Sequence, residues 1–354
     1  MRKKGLFAVC KNVVRKPQNS GRFRVLYSVQ TQDIGVKYSA ESGGHSAGRF
    51  ITGIGHTFIM NRYLLQFIIA MVAFGTIGIF RRFIPLDSGL IAMIRGAVGA
   101  LFILGYLKVK GRPFRFSHLK GKLLPLVIAG GVMGFNWVLL FEAYNYTTVS
   151  VATLCYYMQP MFLLMISPIL FKEKITPAKG MCVLIAFAGM VLVSGILTDQ
   201  GNMNDIRGIL LGLGSAVLYT FVVAMNKKIE GCDPYEKTAV ELASAAIAVF
   251  PYLLIKGVFA DPATAAGFTP LSIAMLAVIS VIHTGVMYVL YFGSIEHIKM
   301  QQVAIFGYLD PVVALILSAV ILHENIGITG VLGAAMIIGA AIASELLPSA
   351  EETA

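Results

Sequence analysis

From residue 63 onward the chain alternates long apolar runs with short polar breaks. The runs lie at about 64–83, 88–107, 123–143, 148–170, 177–197, 208–226, 238–258, 270–292, 300–322 and 327–346. A helix needs roughly 17–25 residues to cross a bilayer, and all ten runs have that length. Lipid offers no water to free backbone groups, so each run must bond its own N–H and C=O groups as an α-helix. The pattern predicts an all-α integral membrane protein with ten transmembrane helices. Residues 1–59 stand outside it, being polar and rich in Gly, Ser and basic residues. They lack the charged start, apolar stretch and cleavage site of a secretory signal. Met60-Asn61-Arg62 followed by an apolar run reads as a natural membrane-protein start. Residues 1–59 are therefore a basic disordered tail, a poor targeting segment or an over-extended start.

Composition sharpens this. The apolar share is 57% and the charged share 13%, with a mean hydropathy of +0.77. Soluble domains run near 45–50% apolar and about 25% charged. An ordinary soluble enzyme, a disordered protein and a nucleic-acid binder are excluded on that ground. The net charge of +11 is mostly local: residues 1–59 carry ten Lys/Arg against Asp33 and Glu41. With a cytoplasmic N-terminus, inside segments hold 24 Lys/Arg against four outside, namely Arg81, Arg82, Arg207 and Lys256. Without residues 1–59 the ratio is 14 to four. The positive-inside rule then puts both termini in the cytoplasm, which implies a multi-pass protein of the plasma membrane. The cysteines at 10, 155, 182 and 232 have no metal-ligand or redox spacing and read as packing residues.

A shift of 151 residues superimposes part of the chain on itself. Val138-Leu139 falls on Val289-Leu290, Phe141 on Phe292, Tyr157 on Tyr308, Pro160 on Pro311, Ser167 on Ser318 and Glu173 on Glu324. Apolar coincidences are cheap, but Tyr-x-x-Pro and the following Glu are not. Each half holds five helices, an odd number, so the second enters the membrane upside down. Segment 108–122 has six basic residues and its counterpart 256–269 has one, as opposite sides require. The expected organisation is a first five-helix repeat over 60–200, a second, inverted one over 201–346, and a short tail over 347–354. Inverted repeats are a hallmark of secondary transporters.

Three stretches carry a family resemblance: GTIGIFRRFIPLDSGLIAMIR from Gly75 to Arg95, FNWVLLFEAYNYTTVSVATLCYYMQPMFLLMISPILFKE from Phe135 to Glu173, and Gly285 to Glu324, ending in GYLDPVVALILSAVILHE. They are similar to the drug/metabolite transporter superfamily in its EamA-domain branch of ten-helix carriers. The likeness covers residues 60 to about 346. It implies export of amino acids, related metabolites or drugs, or import of small cations, along a path lined by the central helices of both halves. An Arg in the second helix is common in that family.

Charged groups within a span cost roughly 2.5–3.5 kcal/mol, so each calls for a reason. Asp310 lies near the midplane of the ninth helix, beside Pro311, and its repeat mate Gln159 precedes Pro160. Two polar-Pro pairs related by the repeat fit a site between halves, or prolines that only bend helices. Arg95 and Glu142 are expected to form a structural salt bridge, and Glu241 a gate or packing pair. Asp310, Glu142, Arg95 and Glu241 are the candidates for proton coupling or gating. Asn136, Trp137, His283 and Tyr288 could line one cavity, with Tyr157 and Tyr308 as a second pair of repeat mates, because aromatic faces attract cations. The substrate-binding candidates are therefore Asn136, Trp137, Tyr157, Gln159, His283, Tyr288, Tyr308 and Asp310.

Catalytic and phosphate-binding motifs are absent from the sequence, so no catalytic residue, metal or cofactor is expected. The expected function is a secondary carrier exporting a small zwitterionic or cationic metabolite, an amino acid or amine, across the lipid bilayer. A proton-coupled version would protonate Asp310 or Glu142. The competing reading is a non-transporting membrane structural or partner protein. A homodimer is a candidate assembly.

Overall fold

The computed structural model describes residues 62–347 apart from 113, 173, 195–202, 230, 296 and 326, and among these one apolar helix follows another. The expectations for residues 1–59, Glu173 and the tail beyond 347 lie outside the described residues. Every regular element among the described residues is helical. In chain order these are α1 (Arg62–Arg82), α2 (Ser88–Val109), α3 (Leu123–Tyr146), α4 (Val149–Leu170), α5 (Pro177–Val193), α6 (Asp205–Lys228), α7 (Pro234–Ile255) and α8 (Pro270–Ile295). They continue as α9, in two pieces, Met300–Gly307 and Leu309–Ile321, and α10 (Gly327–Leu346). Eight are long and apolar enough to span a bilayer; α5 and the stretch Ile305–Ile321 of α9 are shorter apolar helices.

Local sequence explains where helices start and where they break. Asp87 caps α2 by accepting from Gly89 N at 2.8 Å and Leu90 N at 3.3 Å. Thr148 does the same for α4, from Val151 N at 3.1 Å. Pro160 and Pro311 have no N–H to give the preceding turn. The chain answers with tighter turns: Met158 N bonds Cys155 O at 3.1 Å, and Tyr308 N reaches Ile305 O at 3.4 Å. As a result α4 breaks at Tyr157 and α9 at Tyr308, the two positions that the 151-residue shift superimposes. A third break falls at Thr76 in α1, and α8 winds as a π-helix over Val278–Val286. Wide turns of that kind occur frequently at functional sites.

Helix pairing follows the small residues. The α3–α6, α3–α7, α2–α7 and α5–α10 contacts are the most extensive. A Cβ on Gly130 would stand 2.4 Å from the Glu241 carbonyl oxygen, and one on Gly134 2.7 Å from that of Ala245. Only glycine lets the α3 and α7 backbones come so close. The contact pattern also survives exchange of the halves: α3 packs on α6 and α7, as α8 packs on α1 and α2. In the same way α4 lies against α6, and α9 against α1.

Candidate functional site

The breaks of α4 and α9 bring tyrosines and one acid together between the halves. The Tyr157 hydroxyl faces the Asp310 carboxyl, and its ring lies 6.3 Å from that of Tyr308. Tyr156 stands edge-on to Tyr157 at 5.7 Å and beside Tyr219 of α6 at 5.4 Å. From α8, Tyr288 and Tyr291 complete the box and pack on Phe74 of α1 at 5.6 and 6.3 Å. Tyr156, Tyr157, Tyr219, Tyr288, Tyr291 and Asp310 sit deep in the bundle yet keep accessible surface. Gln159 opens the second piece of α4, where its carbonyl accepts from Thr220 Oγ1 at 3.3 Å.

Arg95 enters this region from α2. Its Nε donates to Thr284 Oγ1 at 2.7 Å, and the guanidinium lies over the Trp137 ring at 4.2 Å and the Phe141 ring at 5.8 Å. The Tyr288 hydroxyl stands beside it. Asp310 is within its electrostatic reach without forming an ion pair.

The expected Arg95–Glu142 salt bridge is not formed. Glu142 Oε2 instead accepts from Ser88 Oγ at 2.6 Å and Asn145 Nδ2 at 3.0 Å, at the far end of α3. Arg81 joins this cluster through Ser88 Oγ at 3.1 Å and Asn145 Oδ1 at 3.2 Å, and also bonds Ile84 O at 2.8 Å. Loop-charge counting treats Arg81 as an exposed orientation mark, whereas the chain buries it. The turn from α1 into α2 folds its guanidinium inward, where three oxygens replace water.

Two other candidates, Asn136 and His283, are held by hydrogen bonds within the bundle. Asn136 is fully buried against α6, where Nδ2 donates to Ser215 O at 2.6 Å and Ser215 Oγ at 2.8 Å. One step along a helix turns a side chain by about 100°, which separates it from its neighbour Trp137. His283 has both ring nitrogens engaged, Nδ1 with Val278 O at 3.2 Å and Nε2 with Thr76 Oγ1 at 2.7 Å. It ties the wide turn of α8 to the break in α1. Glu241 is buried in α7, near Lys237 and Asn226, with Oε1 lacking a hydrogen-bond partner among the described residues. Tyr219 is absent from the sequence-derived candidates, although a tyrosine at mid-depth of α6 was the available signal.

The ends of the bundle are tied by polar contacts. At one end Glu324 accepts from Val149 N at 2.9 Å, Ser150 N at 3.2 Å and Ser150 Oγ at 3.1 Å, and pairs with Arg82 at 3.5 Å. Ser150 also bonds Ser318, joining α4 directly to α9. Lys256 Nζ donates to Asp87 Oδ2 at 2.6 Å there. That bond raises the ammonium above its ordinary range, against the pull of partial burial. Beyond their breaks α4 and α9 part: the second piece of α4 leans on α5 and α6, and the first piece of α9 on α1 and α10. At this other end Arg112 pairs with Asp233, and Glu236 accepts from Arg115 N and contacts His118 Nδ1, both at 3.1 Å. A mixed-charge pocket of about 240 Å³ lies among these residues.

The site therefore belongs to a polytopic helical protein with a charged and aromatic centre, approached by broken helices from both halves. Residues 61–195 and 206–344 each match the EamA-like transporter family. The chain belongs to that family: it is a multi-pass membrane transporter, not an enzyme. It is 27% identical over 274 residues to the uncharacterized transporter YxxF of Bacillus subtilis (strain 168), covering 75% of this chain and 85% of that one. It is 24% identical over 273 residues to an uncharacterized transporter of Archaeoglobus fulgidus, covering 77% and 92%.

Proposed function

We propose that this transporter exports a small zwitterionic or cationic metabolite, an amino acid or amine, by alternating access. The observation that carries the reading is Asp310, set among tyrosines at the break of α9 and facing Tyr157 at the break of α4. A carboxylate attracts an ammonium group, and the faces of aromatic rings add cation–π attraction. The proposal takes ten spans in two inverted halves, with both termini cytoplasmic in the plasma membrane. Loop charge and the contact pattern preserved on exchanging the halves support that arrangement. Two near-equivalent halves can swap inward-open and outward-open shapes around a central site.

In this orientation the Glu324 cluster closes the external side, and the parting of α4 and α9 faces the cytoplasm. Glu324→Ala is expected to uncap α4, at about 0.5–2 kcal/mol. The readout is faster hydrogen exchange at the Val149 and Ser150 amides; exchange equal to the parent would remove Glu324 as the external clasp.

Counterflow in proteoliposomes tests the function. Vesicles loaded with unlabelled amino acids or amines are expected to accumulate the labelled species. No movement of any amino acid or amine, with or without a pH gradient, would sink the proposal.

A further inference from the structure

We propose that Arg95 binds the carboxylate of the transported molecule, so that the substrate is a zwitterion and not a simple amine. The inference rests on reading Asp310 and the tyrosines as the transport site. It begins with an uncompensated charge. Arg95 is 4% exposed; its Nε donates to Thr284, and the Tyr288 hydroxyl lies within hydrogen-bond reach of the guanidinium. Among the described residues no carboxylate pairs with it; its other polar neighbour is the Tyr288 hydroxyl, and the Trp137 ring covers one side. A buried guanidinium without a counter-charge is strongly unfavourable, so its place needs an anion for at least part of the cycle.

The neighbouring acids do not supply that anion. Glu142 is held by Ser88 and Asn145. Glu241 lies with Lys237 and Asn226. Asp310 faces Tyr157 and stops short of an ion pair with Arg95. The guanidinium is also oriented before any ligand arrives. Thr284 spends its own proton on Ile279 O at 2.9 Å, so its oxygen must accept from Arg95. The Trp137 ring centroid lies 4.2 Å from the guanidinium carbon. The terminal N–H groups of a guanidinium form a fork of the shape that takes a carboxylate through two parallel bonds. Asp310 lies within electrostatic reach without pairing, so one cation and one anion stand apart near the broken helices. That is the complement of an α-amino acid.

The test uses purified full-length protein in proteoliposomes, with leucine and phenylalanine as free acids, their methyl esters, and the matching amines isoamylamine and phenethylamine. The parent protein is expected to move the free acids about 10- to 100-fold better than the esters or amines, the loss that follows when a charged hydrogen-bond pair is broken. Arg95→Gln should erase that preference while amine movement persists, and Arg95→Lys should keep part of it. Should Arg95→Gln fail to fold, ligand-induced thermal shift of the parent decides: free acids must stabilise it and esters must not. Transport of amines in preference to acids keeps the carrier reading and overturns this inference. So does an undiminished acid preference in Arg95→Gln, or stabilisation by chloride alone with acid and ester equal. Failure of every acid and amine to move overturns the proposed function, and this inference with it.

Discussion

Replacing Asp310 by Asn is expected to lower transport by about 10- to 100-fold while leaving the protein folded. Asn keeps the size of the side chain and can still bond the Tyr157 hydroxyl, which faces the carboxyl. Only the negative charge is lost. Hydrogen bonds to charged groups contribute about 1.5–3 kcal/mol, which corresponds to that range of rates if substrate binding is limiting. Fold integrity should survive because Asp310 makes no ion pair for the protein to lose. Removing a buried charge from an apolar bundle can even stabilise it. Initial counterflow rate and melting temperature, measured on one preparation, separate the two effects. A variant that transports at the parent rate would exclude Asp310 from the substrate path, and one that fails to fold would make it a structural acid.

The largest effect on stability is expected from Gly130→Val. A Cβ at this position would lie 2.4 Å from the Glu241 carbonyl oxygen, 2.7 Å from the Glu241 Cα and 2.8 Å from the Ser244 Cβ. Two of those atoms are backbone, so no rotamer change relieves the clash. Helices α3 and α7 must separate, and α3 also carries Trp137 beneath Arg95. Overpacking typically costs about 1–3 kcal/mol, and a backbone clash belongs at the upper end. Gly105→Ala is the control, because its added Cβ meets nothing within 4 Å. Thermal unfolding in detergent should show a clear drop for the first variant and none for the second. Equal melting temperatures would mean that α3 and α7 are not clamped at Gly130.

The breaks in α4 and α9 were legible from the chain because their causes are local. Pro160 and Pro311 lack an N–H, and the preceding Tyr157 and Tyr308 recur at one offset. Asp310 was legible for a similar reason, since an acid at mid-depth is conspicuous by its cost. Arg95 was conspicuous too, but its partner was not. Glu142 has a matching charge and a plausible depth, yet it is drawn to Ser88 and Asn145, while Arg95 turns to Trp137 and Thr284. Thr284 is 189 residues away in sequence. It carries no charge to advertise the contact.

By itself the sequence determined an α-helical membrane body, the positions of its apolar helices and the depth of its rare polar groups. These depend on the cost of placing each residue in lipid, which is a property of one position at a time. The tertiary structure alone decided which helical face meets which neighbour. It sent Asn136 to Ser215, His283 to Thr76 and Tyr219 into the box beside Tyr156. In a soluble helix an apolar stripe marks the inward face. These helices are apolar all round, so that mark is missing, and close glycine contacts such as Gly130 on α7 set the rotation instead.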